Sequence, residues 1–151
     1  MNNADYTILL VEDEENDATL LKMAFKQNKI TDGVQWVRDG MEATEYLNGT
    51  GKYAQRDVFP FPDVMILDLK MPRMNGLELL EWIGKNSHYR IIPTIVMTSS
   101  HQDPDIEKAY QLGANTYLIK PSSFQELVDM AGKIHAYWQL AVKPRGNGKK
   151  G

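Results

Sequence analysis

Short apolar runs alternate along this chain with longer stretches in which apolar residues recur at helical spacing. The first run, TILLV at 7–11, ends in Glu12 and Asp13 and reads as a strand buried on both faces. Residues 14–28 follow as a helix: Ala18, Leu21 and Phe25 share a stripe, and Glu14, Glu15 and Asp17 suit its first turn. Residues 33–38 read as a second strand, with Val34, Trp36 and Arg38 alternating against Gln35 and Val37, and residues 41–48 as a short helix. A longer Gly-, Pro- and polar-rich connection spans 49–61, where residues 51–53 extend or break that helix. The run VMIL at 64–67 is partly β-branched and bounded by Pro and Gly signals, which marks a third buried strand.

Residues 76–86 form the next helix, with Leu77, Leu80 and Ile83 or Gly84 inward. Pro93 opens a fourth strand at 94–97, as proline can at a strand's first position. Asp103 as N-cap, Pro104 at the first helical position and Gly113 as the stop outline a fourth helix. Residues 115–119 are a fifth strand, ending in Lys120 and Pro121. Ser123 and Glu126 have capping-box spacing, and Leu127, Ala131, Ile134 and Trp138 make one stripe of a last helix to about residue 140. Five strands alternating with five helices imply an α/β fold, a doubly wound parallel sheet with right-handed crossovers. The pattern does not fix the strand order; the flavodoxin-like 2-1-3-4-5 is one of two common choices. The organisation expected is an N-terminal extension at 1–6, one domain at 7–140 and a flexible tail at 141–151.

Composition narrows the function. The chain has 151 residues and a net charge of -3, so there is one domain's worth of core and no basic field to hold nucleic acid. It has no cysteine, which removes disulfides, thiolate metal sites and thiol nucleophiles. Residues 1–6 show no secretory signal, and no apolar run approaches the ~18 residues of a membrane span. The expected location is the cytoplasm.

The candidate chemistry lies where the strands end. In an open parallel sheet the carboxyl edge is where ligands bind. Strand one delivers Glu12 and Asp13 there, strand three Asp68, strand four Thr98 and strand five Lys120. Converging carboxylates repel one another unless a cation intervenes. Oxygen donors without His or Cys suit Mg²⁺, with Mn²⁺ as the alternative. An Asp held beside such an ion can attack a phosphoryl donor, while Lys120 neutralises charge on the transferring oxygens. Thr98 can then hydrogen-bond to the phosphoryl group once it is attached.

The ordered set Glu12-Asp13, Asp68 with Met71-Pro72 and Gly76, Met97-Thr98-Ser99, and Tyr117 with Lys120-Pro121 resembles the receiver domains of two-component response regulators, over about residues 7–140. The resemblance implies the order 2-1-3-4-5 and Asp68 as phosphoacceptor. It implies Asp13 and Asp68 as metal ligands, Glu12 acting through water and the Lys70 backbone carbonyl as a further ligand. Thr98 would be the switch hydroxyl, Tyr117 the switch aromatic and Lys120 the phosphate-binding cation. A cis Lys120-Pro121 bond is also implied. The family uses Asp more often than Glu at position 12. The long 49–61 connection, its Gly-Lys-Tyr element and the Tyr137-Trp138 ending are similar to stand-alone receivers serving phytochrome-type histidine kinases.

The expected function is therefore a single-domain response regulator. It takes its phosphoryl group from a histidine kinase, signals through the face of helix four, strand five and helix five, and acts on a downstream protein rather than as a turnover enzyme. About eleven polar residues after 140 leave no room for a helix-turn-helix unit. Tyr110, Val128, Tyr137 and Trp138 are expected to form an apolar patch for a homodimer on that face. Three competitors are weaker. An Mg²⁺-dependent phosphatase with an Asp nucleophile usually carries a second acid two residues on, where this chain has Lys70. A receiver degenerate in its chemistry would have lost Asp68 or Lys120. A mononucleotide site would need a glycine or hydroxyl cluster after strand one.

Overall fold

In the computed structural model, which describes residues 6–30 and 33–141, the apolar runs form one parallel sheet. Its strands are β1 (Ile8–Val11), β2 (Val34–Val37), β3 (Val64–Leu67), β4 (Thr94–Thr98) and β5 (Thr116–Ile119), in the order β2-β1-β3-β4-β5. The helices are α1 (Glu15–Gln27), α2 (Gly40–Asn48), α3 (Gly76–Gly84), α4 (Asp103–Gln111) and α5 (Phe124–Leu140). A 3₁₀ turn, Gly51–Ala54, breaks α2 from the connection that follows. This is the doubly wound, flavodoxin-like arrangement expected. The expected extension and tail fall largely on residues outside the described ones.

Successive side chains of a strand point to opposite faces, so a strand buried on both sides feeds two cores. Ile8, Leu10, Val64, Ile66 and Met97 pack with α1 and α5, while Leu9, Val11, Met65, Leu67 and Val96 pack with α2, α3 and α4. The register keeps the strand ends level. Val11 pairs with Leu67, Leu67 with Val96, and Thr98 with Ile119. The residues that follow Val11, Leu67 and Ile119 are Glu12, Asp68 and Lys120, which therefore emerge together.

Helix ends are closed by the side chains their positions favour. Asp39 accepts from the Glu42 N–H at the start of α2, and Asn75 and Glu78 form a reciprocal capping box on α3. Ser123 accepts from the Glu126 N–H at the start of α5.

Several local expectations are corrected. Asp103 is the first residue of α4 rather than its N-cap; Gln102 holds that position, and its N–H donates to the Ser100 Oγ. Leu79 joins Leu80 and Ile83 inside, and Leu77 is only partly buried. Trp138 is not part of an exposed patch: it is buried beside Tyr6, and Val128 is half-buried against the same core. Tyr110 and Tyr137 remain exposed. The Lys120-Pro121 bond is trans, as are all peptide bonds among the described residues; a tertiary amide separates its two isomers by only ~0.5–1 kcal/mol.

The connection at 49–61 is ordered by its own side chains. Arg56 donates to the carbonyls of Tyr46 and Leu47 at the end of α2 and to Phe59 O, and its guanidinium faces the rings of Tyr46 and Phe61, while Tyr53 packs against Tyr46 and edge-on to Phe59. No helix among the described residues is long and apolar enough to cross a membrane.

Candidate functional site

Three carboxylates meet at the carboxyl edge of β1 and β3. Glu12, Asp13 and Asp68 each offer an oxygen within 4.8 Å of the others. Glu12 and Asp68 are buried and Asp13 is partly exposed. The backbone fixes their level: the Glu12 N–H donates to Val37 O at 3.0 Å and the Asp68 N–H to Val11 O at 3.1 Å, continuing the sheet one residue past its strands. The Trp36 indole N–H donates to the Glu12 carbonyl at 2.7 Å, which anchors that turn from β2.

One ammonium faces this group. Lys120 Nζ lies 2.8 Å from Glu12, 3.0 Å from Asp68 and 2.7 Å from Asp17. Lys120 is positioned by its own N–H, which donates to Thr98 O at 2.8 Å. Burial pushes the Glu12 carboxyl up to about 7; the hydrogen bond from Lys120 works against that, and the Asp68 charge adds to it. Burial alone would lower Lys120, but its hydrogen bonds to Asp17 and Glu12 and the charges of Glu12 and Asp68 hold it above its ordinary value. Three carboxylates and one cation leave the cluster with unbalanced negative charge. The donor set is all oxygen, with no His or Cys, and one open flank at Asp13. It fits a hard divalent ion that keeps several waters.

Thr98 ends β4 with no exposed surface, and its Oγ accepts the Ser100 N–H at 3.5 Å. The Lys70 N–H faces Asp68 Oδ1 at 3.5 Å, at the start of the loop that leads to α3. Gly76 starts α3 against β3. A Cβ there would lie 2.4 Å from Asp68 O and 2.8 Å from Leu69 Cα. The glycine is required by close approach rather than by a left-handed backbone; the positive φ in this loop belongs to Arg73. Tyr117 stands apart from the carboxylates. Its hydroxyl donates to Ser100 O at 3.1 Å, tying β5 to the β4–α4 loop.

The edge thus brings together Glu12, Asp13, Asp68 and Lys120, sets Thr98 on the adjacent strand, and connects Tyr117 through Ser100. One participant is not singled out by the sequence: Asp17, a turn into α1, reads only as a first-turn acid, yet it holds Lys120. Ser100, whose place two residues after Thr98 marks it in the sequence as a residue expected to tune the phosphoryl lifetime, is buried and donates to Asp105 at 2.6 Å, so it joins Thr98, Tyr117 and α4.

Comparison with known proteins agrees with this geometry. The family model described as the response regulator receiver domain matches residues 8–132. Among curated proteins, the chain is 38% identical over 136 residues to the probable methanogenesis regulatory protein FilR2 of Methanothrix harundinacea, covering 88% of this chain and 83% of that one. It is 34% identical over 141 residues to the response regulator Rcp1 of Synechocystis sp., covering 93% and 94%. Among solved structures, the phosphorylated cyanobacterial phytochrome response regulator RcpA superposes with a TM-score of 0.84 at 34% identity, covering 93% of this chain and 99% of that one. The Mn²⁺-bound form of Rcp1 superposes with a TM-score of 0.81 at 33% identity, covering 92% and 99%.

Proposed function

The chain belongs to the response regulator receiver domain family, and from that premise we propose that it is a single-domain response regulator phosphorylated on Asp68. The observation that carries this reading is the Asp68 carboxylate, held 3.0 Å from Lys120 among carboxylates able to share a divalent ion. Asp13, Asp68 and the Lys70 carbonyl hold Mg²⁺ or Mn²⁺, with Glu12 acting through a water. When bound, the ion neutralises the carboxylates and the charge on the transferring oxygens.

The donor is the phosphohistidine of a histidine kinase. An Asp68 carboxylate oxygen attacks phosphorus, the P–N bond breaks, and the imidazole leaves with the electron pair and takes up a proton. Lys120 keeps its ammonium on a phosphoryl oxygen, and Thr98 donates its hydroxyl to another. Neither group gives up its place in the chain of strands, so the new charge is read as a shift of the β4–α4 loop. Tyr117 is bonded to that loop through Ser100 and follows it. The output face is α4, β5 and α5, where Tyr110 and Tyr137 are exposed. The product is an aspartyl phosphate that hydrolyses slowly, and the protein is not a turnover enzyme. The similarity to the phosphorylated cyanobacterial phytochrome response regulator RcpA supports a phytochrome-type kinase as donor, and the proposed site of action is the cytoplasm.

Intact mass after incubation with Mg²⁺ and acetyl phosphate tests the reading. One added phosphoryl group is expected, absent in Asp68→Asn and absent with chelator. No adduct, where a control receiver is labelled, would leave a constitutive binding module.

A further inference from the structure

The loop between Asp68 and α3 is held from the side by the turn that starts α2. Arg73 Nε donates to Asp39 Oδ2 at 2.8 Å and Arg73 Nη2 to Asp39 Oδ1 at 3.0 Å, a two-pronged pair. One residue on, the Gly40 N–H donates to Met74 O at 3.0 Å. Among the described residues, these are the hydrogen bonds that tie 70–74 to another part of the fold. The approach is tight: a Cβ on Gly40 would lie 2.5 Å from Met74 O. Arg73 has φ 64, a left-handed backbone that a non-glycine residue keeps only where its surroundings impose it.

Asp39 is itself fixed. Its side chain is 9% exposed against 61% for Arg73, and it also accepts the Glu42 N–H as the cap of α2. Burial would raise its carboxyl, but the hydrogen bonds from Arg73 and Glu42 outweigh burial and hold it below the usual carboxylate range. The anchor is therefore a charged carboxylate that caps α2, and the held partner is the loop that starts with Lys70.

We propose that Asp39 and Arg73 are positioning residues for the metal: their clasp fixes the Lys70–Met74 segment, and with it the Lys70 carbonyl, at the height of the Asp68 carboxylate. This inference rests on the receiver reading given above. Groups that orient a metal's ligands typically change affinity ~10–100-fold when lost, and a carbonyl ligand on an otherwise exposed loop depends on whatever holds the loop.

The test is isothermal titration of the full chain with Mn²⁺, comparing the parent with Asp39→Asn, Arg73→Asn and the double variant. Asn keeps the helix cap at 39 and tolerates the left-handed backbone at 73, so each change removes the pair and little else. Both single variants should bind Mn²⁺ about tenfold more weakly, and the double variant no more weakly than either, with the metal-free thermal transition nearly unmoved. A field effect without positioning predicts opposite signs: losing the Arg73 cation would tighten Mn²⁺, and losing the Asp39 anion would loosen it. Opposite shifts, or affinities within about twofold of the parent, overturn the clasp while leaving the receiver reading intact. A parent chain that takes up no Mn²⁺ overturns both.

Discussion

Replacing Lys120 by methionine would remove the one cation from the carboxylate cluster while keeping the length of its stem. At an effective dielectric of 20, a unit pair near 3 Å is worth ~5–6 kcal/mol before desolvation. Two such contacts, to Glu12 at 2.8 Å and Asp68 at 3.0 Å, join Lys120 to buried carboxylates. The contact to Asp17, which is 40% exposed, adds little. Against this gross attraction stands the recovered hydration of one ammonium, several kcal/mol. Glu12 also limits the loss, because a carboxyl already pushed up to about 7 can shed its charge by taking a proton. Removing one partner of a buried pair typically costs ~3–5 kcal/mol net. For a domain of this size that is a fall in Tm of roughly 10–20 °C. The assay is thermal unfolding by circular dichroism, in chelator and then in excess Mg²⁺. The variant should lose this stability in chelator and gain more from Mg²⁺ than the parent, because the ion meets an extra unbalanced charge. A metal-free Tm within about 2 °C of the parent would refute the argument and show that Lys120 does not balance buried charge.

Two further perturbations separate the site from its scaffold. Gly76→Ala should destabilise the fold by ~1–3 kcal/mol in urea titrations and slow phosphorylation as well, because its Cβ would meet Asp68 O and the Leu67 side chain; normal labelling by acetyl phosphate would refute the coupling. Arg56→Ala should cost ~2–3 kcal/mol through lost charged hydrogen bonds to Tyr46 O, Leu47 O and Phe59 O. Labelling of Asp68 should be unchanged in it, and a loss below about 0.5 kcal/mol would mean the α2 carbonyls are satisfied without the guanidinium.

The strands were legible because runs such as TILLV and VMIL are buried on both faces, and in a parallel sheet whatever follows them lands on one edge. That made Glu12, Asp13, Asp68, Thr98 and Lys120 neighbours before any coordinates. Strand order was not legible from periodicity and came with the family resemblance. Pairings between side chains on separate loops were also hidden. Asp39 and Arg73 lie in separate connections, and nothing in their spacing joins them. Asp17 looked like a helix-start acid because its other role depends on a lysine 103 positions away. Trp138 read as a possible partner-face residue, since the chain does not announce that Tyr6 returns to cover it. Gly76 is legible as a position, but the close approach to Asp68 O that requires it leaves no trace in the sequence.

An ammonium has three N–H bonds, and the ammonium of Lys120 has three carboxylate neighbours. Its donor valence is full. Any fourth acceptor that arrives must be met by exchange, not by addition, and the neighbour nearest to water is the cheapest to release. That neighbour is Asp17, in the first turn of α1. Occupancy at the sheet edge is thus linked to the freedom of a helix on the opposite side from Tyr117, through a single atom that cannot serve both at once.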